Sequence, residues 1–154
     1  MADIVFNIAK GRVAELYNRV KTADPSAARL YVIPISAGAV SDATALDVDT
    51  FADLVTAGVT ERTANGWNRK TLAAADLASM APDDTNNRMD IDIPDQTWTA
   101  VSTDAVTDLV ICYSATASPT NAQLVPLTQH DFAVTPSGGD VTMQVAAAGF
   151  YRAS

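Results

Sequence analysis

The chain has 154 residues, of which 48% are hydrophobic and 18% are charged, and its formal net charge at pH 7 is −8. This length suits one domain, residues 1–154, with a sizeable core. The acidic balance excludes the electrostatic attraction that binding to nucleic acid or anionic lipid requires. The charged fraction is below the about 25% usual for soluble domains, which favours a protein packed against a partner.

The single cysteine, Cys112, rules out an internal disulfide and lies in the apolar run 109–113. We therefore expect an inert, buried thiol and folding in a reducing cytosol. The first residues lack a basic start followed by an apolar stretch, so no signal peptide is expected. No apolar segment approaches the ~18 residues of a membrane span, so no membrane partner is expected.

The first predicted element is an amphipathic helix over residues 7–22. Its apolar positions recur at helical spacing and share one face: Val13, Leu16, Tyr17 and Val20. Asn7 is the expected N-cap, and Asp24-Pro25 is the expected stop signal. The charged face, which includes Arg12 and Arg19, leaves two interpretations open. The helix covers a sheet, or it docks on a partner.

A mixed region over residues 28–72 follows. Residues 30–35 have the composition of a strand, in which Pro34 marks an edge or a bulge. Residues 36–48 are predicted to be a loop. A short helix is predicted over 49–58, capped by Asp49 or Thr50 and ended by Gly58.

Asn65-Gly66 is a type I′ turn signal, which predicts a hairpin between residues 59–63 and 67–72. Residues 73–85 are predicted to form a surface excursion. The β-rich block 88–151 then contains several short segments of strand character, separated by turn residues: 88–93, 97–101, 108–113, 123–127, 131–134 and 141–145. The pattern predicts an α+β, mainly β fold, an antiparallel β-sandwich or partial barrel with an N-terminal helix and one further short helix.

Few residues are candidates for chemistry. His130 is the only histidine, and no nucleophile motif such as Gly-x-Ser-x-Gly accompanies it. The cluster containing Asp83, Asp84 and Asn86 is rich in oxygen ligands for calcium but lacks EF-hand spacing. We interpret it as a polar turn that leads into a strand, and we expect no metal, no cofactor and no catalytic residue.

The strand around Ile91 alternates, so Asp90 and Asp92 are predicted to form its solvent-facing side rather than a catalytic pair. Trp98 directly follows this strand and is predicted to lie in the core. Trp67 lies in a polar segment beside Asn65-Gly66, and we predict that it is exposed and contacts a partner.

Four segments of the chain resemble a group of small virion proteins of tailed bacteriophages: Asn7–Val20 (NIAKGRVAELYNRV), Thr63–Leu72 (TANGWNRKTL), Asp92–Trp98 (DIPDQTW) and Ala147–Ser154 (AAGFYRAS). The similarity extends over nearly the whole chain and carries no functional motif. It implies a non-enzymatic structural role in the virion, and it transfers no catalytic or binding residue.

Within the virion, we expect a capsid decoration, or cement, protein that binds the outside of the major capsid protein lattice and stabilises the head. Its partners would be the major capsid protein and neighbouring copies of itself, with assembly in the host cytoplasm and an oligomeric arrangement in the particle. The candidates for partner contact are Arg12, Arg19, Trp67, Phe150 and Tyr151. Two alternatives stay open: a minor tail, connector or baseplate component, and a small hydrolase that uses His130.

Overall fold

The structure is a computed structural model that describes residues 2–154 of the chain. The fold is mainly β with antiparallel sheets, which confirms the predicted class. The α-helices are α1 (Val13–Lys21), α2 (Asp42–Leu46) and α3 (Phe51–Ala57). The strands are β1 (Ile4–Val5), β2 (Arg29–Ser36), β3 (Thr60–Glu61), β4 (Lys70–Leu72), β5 (Met89–Ile91), β6 (Gln96–Trp98), β7 (Val106–Ser114), β8 (Val125–Val134), β9 (Val141–Met143) and β10 (Tyr151–Ala153). Short 3₁₀ turns occupy Asn7–Ala9, Ala74–Asp76 and Asn121–Gln123.

A six-stranded sheet forms the centre of the fold. Its order is β1-β8-β7-β2-β3, and β4 also pairs with β2. The sheet is open, so the described chain forms no closed barrel. Strands β2 and β7 are buried along nearly their whole length, which their continuous apolar runs require. The sheet therefore has two faces that must both be covered.

The first face is covered by α1 and by two small ribbons, β5–β10 and β6–β9. Alternation along the strands places Val32 and Ile111, which are register partners, on this face. The apolar side of α1 packs there as predicted, with Val13, Leu16, Tyr17 and Val20 all buried. Trp98 belongs to the same cluster and is fully buried, as predicted.

The second face is covered by α2 and α3. Its cluster includes Ile33 and Val110 from the strands and Phe51 and Leu54 from α3. Cys112 belongs to this cluster and is fully buried, and the loss of solvent raises the pKa of its thiol strongly. The prediction of an inert core cysteine is therefore confirmed.

The N-terminal helix begins later than predicted. Residues Asn7–Ala9 form a 3₁₀ turn, and α1 starts only at Val13. The reason is Gly11, whose φ of +77° is incompatible with a continuous right-handed helix. Asn7 is consequently not the N-cap of α1, and its side-chain amide donates instead to the carboxylate of Asp47 at 2.7 Å. The end at Lys21, before Asp24-Pro25, agrees with the prediction.

The predicted hairpin is half right. The turn exists, with positive φ at Asn65 and Gly66 and a hydrogen bond from Trp67 N to Ala64 O of 3.0 Å. Its two arms do not pair with each other, because β3 and β4 both pair with β2, at opposite ends of that strand. A long buried strand with a free edge offers each arm a better partner than the other polar arm does.

In the rest of the chain, one predicted element agrees with the structure and two differ from it. The short helix α3 is confirmed, with Thr50 as its N-cap and Gly58 as its left-handed C-cap at φ +119°. The predicted loop 36–48 contains an additional helix, α2, which Ser41 caps. The separate strands expected at 123–127 and 131–134 are one continuous strand, β8.

Candidate partner-binding trough

The two arginines predicted to contact a partner lie on the outer face of α1. Arg12 and Arg19 both pair with Glu15, at 3.7 Å and 3.0 Å, and all three side chains are about half exposed. The hydrogen bond that Arg19 donates to the Glu15 carboxylate raises the pKa of Arg19. Because about half of each side chain is exposed, both arginines are accessible to another molecule. Exposed pairs at this helical spacing contribute little to stability.

The prediction that Trp67 is exposed is wrong. Its side chain is 2% exposed and packs against Trp98, with ring centroids 5.3 Å apart. The indole N–H donates to the carbonyl oxygens of Asp104 at 2.9 Å and Thr103 at 3.3 Å. The sequence around Trp67 is polar and does not indicate this burial, because the carbonyl oxygen that accepts the indole hydrogen bond lies almost 40 residues further along the chain. Trp67 is thus part of the core and presents no surface to a partner.

The carboxylate and amide cluster near residue 83 forms a turn. The Asp83 carboxylate accepts hydrogen bonds from Asn86, from its backbone N at 3.1 Å and from its side-chain amide at 2.7 Å. The side-chain bond from Asn86 is the main reason that the pKa of Asp83 is lowered. Asp84 is exposed beside this turn. Across residues 2–154, no three His, Cys, Asp or Glu side chains are grouped so that they could hold a metal ion.

The acids of the alternating strand are divided between two environments. Asp92 is exposed, as expected for a solvent-facing position. Asp90 pairs with Arg152 at 2.6 Å and lies 3.2 Å from Arg88, the latter as an ion pair rather than an aligned hydrogen bond. The hydrogen bond from Arg152 lowers the pKa of Asp90. This pair joins β5 to β10 and is structural.

His130 lies on β8 between a hydroxyl and a carboxylate. Its Nε2 is 2.9 Å from Thr128 Oγ1, and its Nδ1 is 3.8 Å from Asp3 Oδ2. Burial lowers the pKa of His130, and the nearby Asp3 carboxylate partly offsets this effect. The order hydroxyl, imidazole, carboxylate resembles that of a hydrolytic triad. However, Thr128 is only 1% exposed, so its hydroxyl is almost closed to solvent even though the residue lines a cavity beside His130.

Two adjoining cavities flank His130, and we name them together the trough. The larger has a volume of about 320 Å³ and the smaller about 260 Å³. Asp3, His130 and Phe150 line both cavities, so the two share one border. The floor of the larger cavity is apolar and comes from β7, β8 and β9: Leu109, Ile111, Phe132 and Met143. The smaller lies between β1 and β10.

The trough brings together two of the predicted contact residues. Phe150 is half-buried, and its ring lies 6.5 Å from the His130 imidazole in an edge-on arrangement. Tyr151, also half-buried, lines the smaller cavity. Arg12, Arg19 and Trp67 do not line either cavity.

Free strand edges border the trough. Within the described chain, β1 pairs only with β8, and β10 pairs only with β5. The outer edge of each of these strands therefore has backbone groups that no other strand of the described chain pairs with. Such an edge can accept a strand from another protein.

Sequence reasoning missed the N-terminal part of this site. Asp3 and Phe150 lie at opposite ends of the chain and line the same cavities only because β1 pairs with β8. No local pattern around Asp3 signals this proximity. The carboxylate also accepts a hydrogen bond from Asp131 N at 2.8 Å, which fastens the start of the chain to β8.

No family model, no curated protein and no solved structure matches this chain. Within residues 2–154, no helix has the length and apolar character needed to cross a membrane.

Proposed function

We propose that this chain is a non-enzymatic structural protein of a tailed-bacteriophage particle that acts by binding other proteins. What supports this proposal is the resemblance to small virion proteins that we expect from four segments of the sequence, from Asn7–Val20 to Ala147–Ser154. A trough with an apolar floor beside two free strand edges supports a binding role. The net charge of −8 opposes direct contact with packaged DNA.

Within that class, the proposed role is that of a capsid decoration, or cement, protein on the outside of the head. Such a protein binds the assembled lattice of the major capsid protein and neighbouring copies of itself. Because it binds only the assembled state, its binding free energy stabilises the shell by linkage. An interface of standard size, about 1,600 Å² in total, is within reach of a domain of this size.

The decisive experiment compares particles with and without the protein. Heads that lack it are expected to release DNA at a lower temperature, and adding the purified protein back is expected to restore the release temperature. A dye that fluoresces on free DNA provides the readout during heating. Equal release temperatures for depleted, restored and wild-type particles would rule out cementing.

Copy number separates the head from the tail. A decoration protein covers the lattice, so its copy number should be comparable with that of the major capsid protein. A minor tail, connector or baseplate component should be present in far fewer copies. Quantitative gel densitometry of purified particles, followed by antibody labelling in electron micrographs, distinguishes the two locations.

The hydrolase alternative rests on the Thr128, His130 and Asp3 arrangement. If the protein acts through this imidazole, His130→Gln should abolish its contribution to infectivity while the protein still assembles into particles. Under the structural proposal, His130→Gln particles that contain the protein keep normal infectivity. The amide of glutamine retains a hydrogen bond to Thr128, which separates loss of chemistry from loss of folding.

A further inference from the structure

We propose that the trough is the docking site for an extended segment of the major capsid protein that carries a bulky apolar side chain beside a lysine or arginine. The inference rests on the proposed function for the source of that segment. The chemistry of the segment follows from the trough itself, through its shape, its charge and the strand edge beside it.

The larger cavity specifies an apolar anchor. Its volume of about 320 Å³ is at the lower end of the range for small-ligand pockets, and its floor is formed by aliphatic, aromatic and methionine side chains. The few polar side chains at its border include His130, whose pKa is lowered by burial, which disfavours its charged form. One large aliphatic or aromatic side chain fits this combination. Anchor residues of this kind carry most of the free energy of a typical interface.

The border of the cavity specifies a cation beside the anchor. The acids that line it, Asp3 and Asp131, are both exposed, and no described lysine or arginine lines it. The Asp3 side chain is 69% exposed although it contacts β8. The Arg152 guanidinium at the smaller cavity is already paired with Asp90. A basic partner residue is therefore complementary to the charge at this border.

The backbone beside the cavities specifies an extended conformation. The smaller cavity lies between Ile4 and Val5 of β1 and Tyr151 of β10, and both strands have unpaired outer edges. A partner strand that pairs with β1 would place alternate side chains toward the trough. Main-chain hydrogen bonds would supply affinity, and the larger cavity would select the anchor side chain.

The first experiment uses the purified protein and blocked pentapeptides. The probe has a leucine between two lysines, and the comparison peptide has a leucine between two glutamates. In a ¹H–¹⁵N titration, the lysine peptide is expected to shift the signals of Ile4, His130 and Phe150 and to bind more tightly than the glutamate peptide. Equal binding of the two peptides, or shifts elsewhere on the molecule, would overturn the inference.

Two pairs of variants make the test specific. Ala146→Trp places a large side chain at an exposed position that lines the larger cavity, whereas Ala147→Trp is an adjacent exposed position outside its lining. Filling the cavity is expected to lower the affinity for the lysine peptide about tenfold or more, as loss of an anchor does. Ala147→Trp should leave this affinity unchanged. The double variant Asp3→Asn and Asp131→Asn should weaken it about three- to tenfold, the range for two exposed ion pairs. The control variant Asp24→Asn with Asp49→Asn changes the net charge by the same amount and should not weaken binding of the lysine peptide.

The second experiment adds the same tryptophan variants to particles that lack the protein. Ala147→Trp is expected to bind in the same number of copies as wild type, whereas Ala146→Trp should bind poorly. Equal occupancy of the two variants overturns docking through the trough but leaves the decoration role intact. If wild type itself is absent from heads, the proposed function fails, and the peptide titration still decides whether the trough recognises an apolar and basic segment. Self-association of the free protein that Ala146→Trp abolishes would assign the trough to a second copy and overturn the capsid segment.

Discussion

Gly149 determines how closely the C-terminal segment approaches β5. Its φ is +75°, and a Cβ at this position would lie 2.6 Å from the carbonyl carbon of Ile91, closer than any side chain tolerates. The approach allows Phe150 N to donate to Ile91 O at 2.9 Å, and β10 then pairs with β5. The position of Phe150 at the trough therefore depends on the absence of a side chain at residue 149.

Replacing Gly149 by alanine is expected to destabilise the protein by more than about 2 kcal/mol, because backbone strain and a backbone collision add. Gly138→Ala is the matched control. It has a φ of +94° but open space around its Cβ, so only the strain of about 1 kcal/mol applies. Urea denaturation of both variants measures the difference. Equal losses would show that the close approach to Ile91 is not rigid.

Trp67 shows how a residue that looks accessible in the sequence can be essential to the core. Truncation to alanine is expected to cost about 3–5 kcal/mol, because it removes a buried ring and leaves the carbonyl of Asp104 without its indole donor. Val55→Ala is the control, since Val55 is 39% exposed on α3, and it should change stability by less than about 0.5 kcal/mol. Thermal and urea unfolding measure both. A small loss for Trp67→Ala would restore the surface role that the structure contradicts.

At the scale of elements, local sequence predicts a helix end well where a nearby side chain caps the helix by a hydrogen bond. Thr50 accepts a hydrogen bond from Asp53 N at 3.2 Å, and the Asp53 carboxylate accepts one from Thr50 N at 3.0 Å. This capping box acts within four residues, so the sequence contains all of it. By contrast, β3 and β4 pair with a strand about 25 and about 40 residues earlier, and no local rule specifies that choice.

Removal of the cap gives a direct test at this scale. Thr50→Ala is expected to lower the free energy of unfolding by about 1 kcal/mol, because the backbone N–H of Asp53 loses the hydroxyl oxygen that accepts its hydrogen bond. Thr50→Ser keeps the hydroxyl and should remain close to wild type. Guanidinium denaturation compares the three proteins. If the serine and alanine variants lose stability equally, then the methyl group of Thr50, and not the cap, supports α3.

At the scale of the whole molecule, the partly buried imidazole of His130 couples folding to pH. His130 has a lowered pKa in the folded state because burial disfavours its charged form. The unfolded chain therefore binds a proton more readily as the pH falls through the ordinary value of 6.5, and stability decreases with it. The carboxylates of Asp83 and Asp90 have lowered pKa values, so their contributions are lost only below 3.8. The two effects occupy separate pH ranges.

The free energy of unfolding of wild type is therefore expected to fall between about pH 8 and about pH 5, and that of His130→Gln should fall less. Urea unfolding at several pH values, at constant ionic strength, measures this dependence. The variant removes the titrating group and keeps a side chain that can bond to Thr128. An identical pH dependence in both proteins would assign the effect to another group.

Local sequence patterns are enough to predict the fold class, the amphipathic face of α1, the caps of α3 and the burial of Trp98 and Cys112. These features depend on periodicity and on hydrogen bonds between near neighbours, which a chain carries in its order of residues. Local patterns do not predict the partners of β3 and β4, the burial of Trp67 or the meeting of Asp3, His130 and Phe150. Each of these results from contacts between distant segments that compete for the same strand edges and the same apolar surface. The trough exists because the two ends of the chain both pack beside β8, where no local pattern points to either of them.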